Sequence, residues 1–193
     1  MIRLILFLIL CATSWLPLSA EEPREILAIR EHYSETLKKI KTGSLYQREL
    51  NLAYPVIPGA GPAASRVRIY YDIPEGHDGE FEYGIVRVEN YYQHAGRVFY
   101  EEYLFNPKGE LMFYYGRRGS GDINRADGIY WNYDERFYFW GDTLVRTIYG
   151  QEMHDRPVAA EIKKGTIRLK QAQDIREKYC QVLFPAPLVF TGE

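Results

Sequence analysis

Residues 66–149 are a succession of runs rich in aromatic and β-branched residues, broken at hairpin-sized intervals by clusters of Gly, Pro, Asn and Asp. Such side chains fit a pleated, half-buried surface, and the punctuation reverses the chain before any run reaches helical length. The runs 67–73, 81–92, 98–105 and 111–115 therefore read as strands. The segment Asn106-Pro107-Lys108-Gly109 has Pro at the second and Gly at the fourth position of a type I turn. Glu102-Tyr103-Leu104-Phe105, a turn and Leu111-Met112 are echoed by Arg136-Phe137-Tyr138-Phe139, a turn at Gly141-Asp142 and Leu144-Val145. Two copies are too few for a solenoid, so the expectation is one meander of consecutive hairpins.

Helical patterns flank this region. After Pro23, which suits a first helical turn, Ile26, Ile29, Tyr33, Leu37 and Ile40 recur at helical spacing until Gly43. Glu21, Glu22 and Glu25 stand near its start and Lys38, Lys39 and Lys41 near its end, which complements the helix dipole. A strand over 46–52 leads into 55–62, where three prolines and two glycines read as a loop. A longer loop is expected over 116–128. Residues 166–183 place Leu169, Ala172, Ile175, Tyr179 and Val182 on one side of a second helix, which Pro185 and Pro187 stop; Leu188, Val189 and Phe190 predict a docked, extended tail. The expected fold class is α+β: an N-terminal helix, an antiparallel β-meander of five to seven strands and a C-terminal helix.

Residues 1–20 read as a signal peptide: Arg3 forms the positive region, 4–12 the apolar stretch, and Leu18-Ser19-Ala20 a small-residue cleavage site. The apolar stretch is shorter than the ~18–20 residues of a membrane span. Cys11 follows Leu10 rather than a small residue, which disfavours lipidation. The expectation is one exported domain, 21–193, periplasmic or extracellular and without a stable membrane span once the signal is removed. The net charge of −2 becomes one unit more negative when Arg3 is lost, which argues against a nucleic-acid partner. Cys180 is then the only cysteine, so no intramolecular disulfide forms, and it reads as a small packed side chain.

Alternation sorts the strands into two faces. Phe99, Phe105, Leu111, Phe113, Phe137, Phe139, Leu144 and Ile148 fall on one, the expected core. Tyr100, Glu102, Met112, Tyr114, Arg136, Tyr138, Trp140 and Tyr149 fall on the other. Tyr and Trp join an apolar body to a polar tip and suit a half-wet surface. The sorting holds only if no bulge intervenes, since one extra residue exchanges faces downstream.

No motif for metal or cofactor chemistry emerges: His32, His77, His94 and His154 lie far apart, and Glu101 and Glu102, adjacent on a strand, point to opposite faces. Ser120 lacks the strand-turn-helix context of a nucleophile elbow. Arg117 and Arg118, beside Gly119, could hold an anion. The preferred reading is a non-enzymatic binding module that presents Tyr100, Glu102, Tyr114, Arg136, Tyr138, Trp140 and Tyr149 to an envelope protein, a peptide or a glycan. One alternative is an envelope hydrolase whose Ser120, Asp122, Glu102, Arg136 and His94 converge only in three dimensions; another is a structural partner in an envelope complex.

Overall fold

A computed structural model describes residues 22–57, 61–73, 84–121 and 128–183. Residues 1–20, read above as a signal peptide, together with His77, Asp122 and residues 185–193, for which a docked extended segment is expected, lie outside the described residues. Helix α1 (Arg24–Lys41) leads into strands β1 (Tyr46–Ile57), β2 (Gly61–Asp72), β3 (Gly84–His94), β4 (Arg97–Phe105), β5 (Leu111–Ser120), β6 (Tyr130–Trp140), β7 (Thr143–Tyr149) and β8 (Glu152–His154). Helix α2 (Ala159–Leu183) follows. The strands form one antiparallel sheet in sequence order, β1 to β8. The α+β class and the flanking helices are as the pattern predicts, but among the described residues the sheet has eight strands rather than five to seven.

The turns explain the regular order. At β3–β4 two residues suffice: Ala95 and Gly96 have φ of 49° and 71°, the left-handed pair that a tight hairpin needs. At β4–β5 the Gly109 amide donates to the Asn106 carbonyl at 2.8 Å, and the Asn106 side chain accepts from the amides of Lys108 and Glu110. This closes the expected four-residue turn, and Gly109 takes the left-handed φ of 79° at its exit.

Two expected loops are partly strand. Pro55 falls where the β1–β2 register shifts between Tyr54 and Ile57, and bulges on edge strands tolerate proline. Pro62 precedes Ala64, the β2 residue where pairing with β3 begins or ends, so no ladder bond to β3 is lost there. Gly116 to Ser120 likewise stay in the ladder, paired with both β4 and β6. Helix α2 begins earlier than expected because the Glu161 carboxylate reaches back to the Val158 amide at 2.8 Å, half of a capping box.

Both faces of the sheet are covered in part. Against α2 one apolar cluster gathers Leu50, Val67, Ile85, Tyr103, Leu111, Phe137 and Leu144, one from each of seven strands, with Ala172, Tyr179 and Leu183 of the helix. Helix α1 packs on the other face over a narrower area: Ile26 and Ile29 meet Leu104, Phe113 and Tyr138, with Tyr33, Tyr115 and Ile148 alongside. Within the expected α1 stripe Leu37 is 40% exposed and Thr36 is buried instead. Cys180 is half-buried against the α2 cluster, and burial raises its thiol pKa.

The sorting of side chains differs from strict alternation at two bulges. Leu104 pairs with Phe113 but Phe105 pairs with Leu111, leaving Met112 unopposed; Tyr138 pairs with Arg146 but Phe139 with Leu144, leaving Val145 unopposed. Each extra residue exchanges the faces of the side chains downstream of it. Phe113 and Ile148 therefore join Tyr138 under α1, while Tyr114 and Tyr149 join Phe137 and Phe139 under α2.

Candidate functional site: a groove beside the N-terminal helix

Because α1 covers only part of its face, it leaves a groove along one flank. Helix residues Ile29, Arg30, Tyr33 and Ser34 form one wall, and Phe113, Tyr115, Arg136, Tyr138 and Ile148 form the floor and the other wall, around a volume of about 470 Å³. The rings set its shape. Tyr33 meets Phe113 edge to face at 5.4 Å, and Phe113 tilts against Tyr138 at 5.0 Å. These are preferred aromatic geometries, so the floor is rigid.

Two arginines border the groove. Arg136 lies 5.1 Å above the Tyr115 ring and reaches Asp134 only at 3.4 Å. Its planar fork therefore keeps N–H groups available for a bidentate acceptor. Arg30 is held by Glu22 at 2.5 Å, and the other oxygen of Glu22 takes the buried Arg146. That ion pair ties the start of α1 to β7 and fixes the groove wall.

Next to the groove lies a charged layer. The Arg87 Nε donates to Glu102 at 2.9 Å and its Nη2 meets Glu89 at 2.8 Å, while the Tyr100 hydroxyl donates to Glu102 at 2.7 Å. Arg68 extends the chain of charges from Glu89 to Glu49. Burial raises the pKa of Glu89 against the opposing pull of Arg87. Burial, followed by the charge of Glu102, pushes the Tyr33 hydroxyl up to about 12. Tyr33 thus enters the groove as a neutral phenol.

Of the seven residues singled out from the sequence, Tyr100, Glu102, Arg136 and Tyr138 share the α1 face. Tyr114 and Tyr149 lie on the α2 face, and Trp140 sits at the β6–β7 turn, 49% exposed. They do not form one exposed surface: Tyr100, Glu102, Tyr114 and Tyr138 are all buried. Only Arg136 and Tyr138 line the groove. Tyr33, Phe113 and Tyr115 are not among those seven; Tyr33 reads from sequence as packing, and the other two reach this face only through the bulge at Met112.

The described residues of the hydrolase alternative fall into two separate places. Ser120 and His94 stand at exposed strand ends, each paired with Arg97 across the ladder. Glu102 and Arg136 share the α1 face but are separated by Tyr115 on the strand between. Arg117 and Arg118 belong to β5, where Arg117 stacks 4.4 Å from the Trp131 ring and Arg118 4.9 Å from that of Tyr133. His32 binds the Phe105 carbonyl at 3.0 Å. Among the described residues no helix is long and apolar enough to cross a membrane. Comparison with known protein families, with curated proteins and with solved structures gives no match.

Proposed function

We propose that this chain is an exported, non-enzymatic binding module that seats a short peptide segment in the groove beside α1. Export rests on the signal-like pattern of residues 1–20. The observation that carries the binding reading is the groove itself. It is about 470 Å³ in volume, with aromatic walls and an arginine whose fork is only loosely engaged. Ligand sites of this kind are mostly apolar clefts of about 300–1,000 Å³ with a few oriented polar groups. An apolar or aromatic side chain fills the space between Tyr33 and Tyr138, and an adjacent carboxylate takes the Arg136 fork. With Arg30 and Arg136 both at the groove, an acidic segment is complementary and a basic one is repelled.

Panning a random peptide library on the purified protein tests this reading, with Ser34→Trp as the counter-target. Ser34 is exposed on the groove wall, so the indole fills the groove without touching the core. Enrichment of peptides that carry an aromatic residue beside Asp or Glu, retained by the wild type and not by the variant, is expected. Equal retention by both proteins, or no enrichment, contradicts it.

A further inference from the structure

We propose that the outer edge of β1 is a self-association surface, on which a second copy of this chain lays its own β1, antiparallel, about a two-fold axis at Leu50. One sheet then runs through both copies. The sheet of a single chain is open, with β1 and β8 as its outermost strands. An outermost strand presents a row of unpaired backbone N–H and C=O groups, which is a template for another strand. The proposal does not depend on the groove beside α1, which lies over β5, β6 and β7.

The two edges are protected differently. Strand β8 has only three residues, and shortness itself guards against strand addition. Strand β1 has twelve residues and no lysine, and its one proline, Pro55, falls in the register shift between Tyr54 and Ile57. From Tyr46 to Leu52 its ladder with β2 is unbroken, so a regular stretch faces outward. Among the described residues no backbone hydrogen bond reaches this edge from outside the sheet, and the helices make their main sheet contacts with β5, β6 and β7. The apolar core also stops unevenly here. Val67 and Ile69 on β2 are fully buried, whereas Leu50 and Leu52 pack on the same cluster and stay only half-buried, with no strand on their outer side.

The residues of β1 select both the partner and the register. A two-fold axis through the sheet keeps each face continuous, so Arg48, Leu50 and Leu52 meet their own kind of position on the α2 face, and Glu49 and Asn51 do so on the α1 face. An axis at Arg48 or at Glu49 would set two like charges directly opposite, which is destabilising. An axis at Leu50 avoids both. It sets Leu50 against Leu50 of the second copy, so the two ragged core ends close on each other, and it lays the Arg48 stem along Leu52 of the second copy with the charge in water. On the other face it sets Glu49 against Asn51 of the second copy. Both side chains are exposed, and an amide is a neutral donor for a carboxylate.

Sedimentation equilibrium of the purified protein over about 1–100 μM, the range suited to a small edge contact, should show a monomer–dimer equilibrium. Amides of alternate residues in 46–52 should exchange more slowly as the concentration rises, and those of β8 should not. Asn51→Lys sets a lysine against Glu49 of the second copy twice in each dimer and should tighten the dimer by about tenfold at low salt. Asn51→Glu sets like charges there and should weaken it by a similar factor. Within one chain Asn51 faces Arg66 across the ladder, so Arg66 favours the glutamate in the monomer whereas the dimer favours the lysine. Opposite signs therefore separate an interface from a change in folding. A monomer at every concentration overturns the proposal and leaves the edge open to a strand of another protein. Dimerisation that ignores both variants overturns it in favour of a different surface, and weakening by both variants overturns the register, because it puts the axis at Asn51.

Discussion

Phe113 and Tyr114 are neighbours in β5 and lie beneath different helices. Phe113 meets Tyr33 of α1 edge to face, whereas Tyr114 sits 4.4 Å below the guanidinium of Arg168 on α2. A tyrosine in that position is a core residue: Tyr114 is 1% exposed and packs on Tyr103 and Phe137. Tyr114→Ala should therefore cost about 3–5 kcal/mol, the range for emptying a large aromatic site. Tyr114→Phe keeps the ring and loses only the contact with Glu101, so it should cost about 1 kcal/mol. Denaturant midpoints at unchanged slope give both numbers.

The Arg87–Glu102 pair stands almost out of reach of water, with side chains 8% and 2% exposed. Removing one member leaves a buried charge without its partner, so Arg87→Met should destabilise by about 3–5 kcal/mol. Adding Glu102→Gln removes most of the uncompensated charge and should recover part of that loss. A double-mutant cycle by chemical denaturation measures the coupling.

His154 and Glu161 fasten β8 to the start of α2. The His154 Nδ1 lies 2.6 Å from Glu161, which also accepts from Thr147 at 2.8 Å. The Glu161 hydrogen bond and charge raise His154 above its ordinary 6.5. Burial acts to raise Glu161, but the hydrogen bonds from His154, the Val158 amide and Thr147 outweigh it, so its pKa falls below 4.5. The histidine contribution is complete below 6.5 and is lost as pH rises through the raised folded value. The carboxylate contribution is present above 4.5 and is lost as pH falls through the depressed one. Stability should therefore be greatest between the two ordinary values and decline on the alkaline side. His154→Gln should flatten the alkaline decline in denaturation curves measured across that range.

Gly119 marks the bulge between β5 and β6, where Arg118 pairs with Tyr133 and Gly119 with Trp131. A Cβ there would lie 2.3 Å from the Tyr130 carbonyl oxygen, a backbone atom that cannot swing aside. Gly119→Ala should cost about 1–3 kcal/mol as the strand pair is forced apart. Gly165→Ala on α2 is the comparison. Its Cβ meets only the Leu144 side chain at 3.0 Å, so the better helix propensity of alanine offsets a small repacking and the melting temperature should change less.

Much of the architecture is legible in the chain. The spacing of Ile26, Ile29 and Tyr33 predicts α1, and Asn106 to Gly109 predicts its turn, because these are local signals with a local cause. The face of each aromatic is not local. It depends on whether one residue is skipped at Met112 and at Val145, and no side chain there announces a bulge. Period-two reasoning therefore places Phe105 and Leu111 on their observed face and reverses Phe113, Tyr114, Ile148 and Tyr149. The groove is hidden from the sequence for the same reason. Its floor combines Tyr115 and Phe113, reassigned by a bulge, with Tyr33 and Ser34 from a helix distant in sequence. Prolines mislead in another way: Pro55 and Pro62 read as a break, yet each stands where the β1–β2 end of the sheet makes no demand on its missing donor.

The most direct measurement is the affinity of a library-selected acidic-aromatic peptide for the wild-type protein and for Arg136→Glu, followed at low and high salt. If the groove beside α1 is the binding site, Arg136→Glu should weaken binding by about tenfold or more, the gap narrowing as salt screens the charge, and the resonances of Tyr33 and Tyr115 should move on titration. Unchanged affinity in Arg136→Glu, or shifts confined to residues under α2, would contradict it.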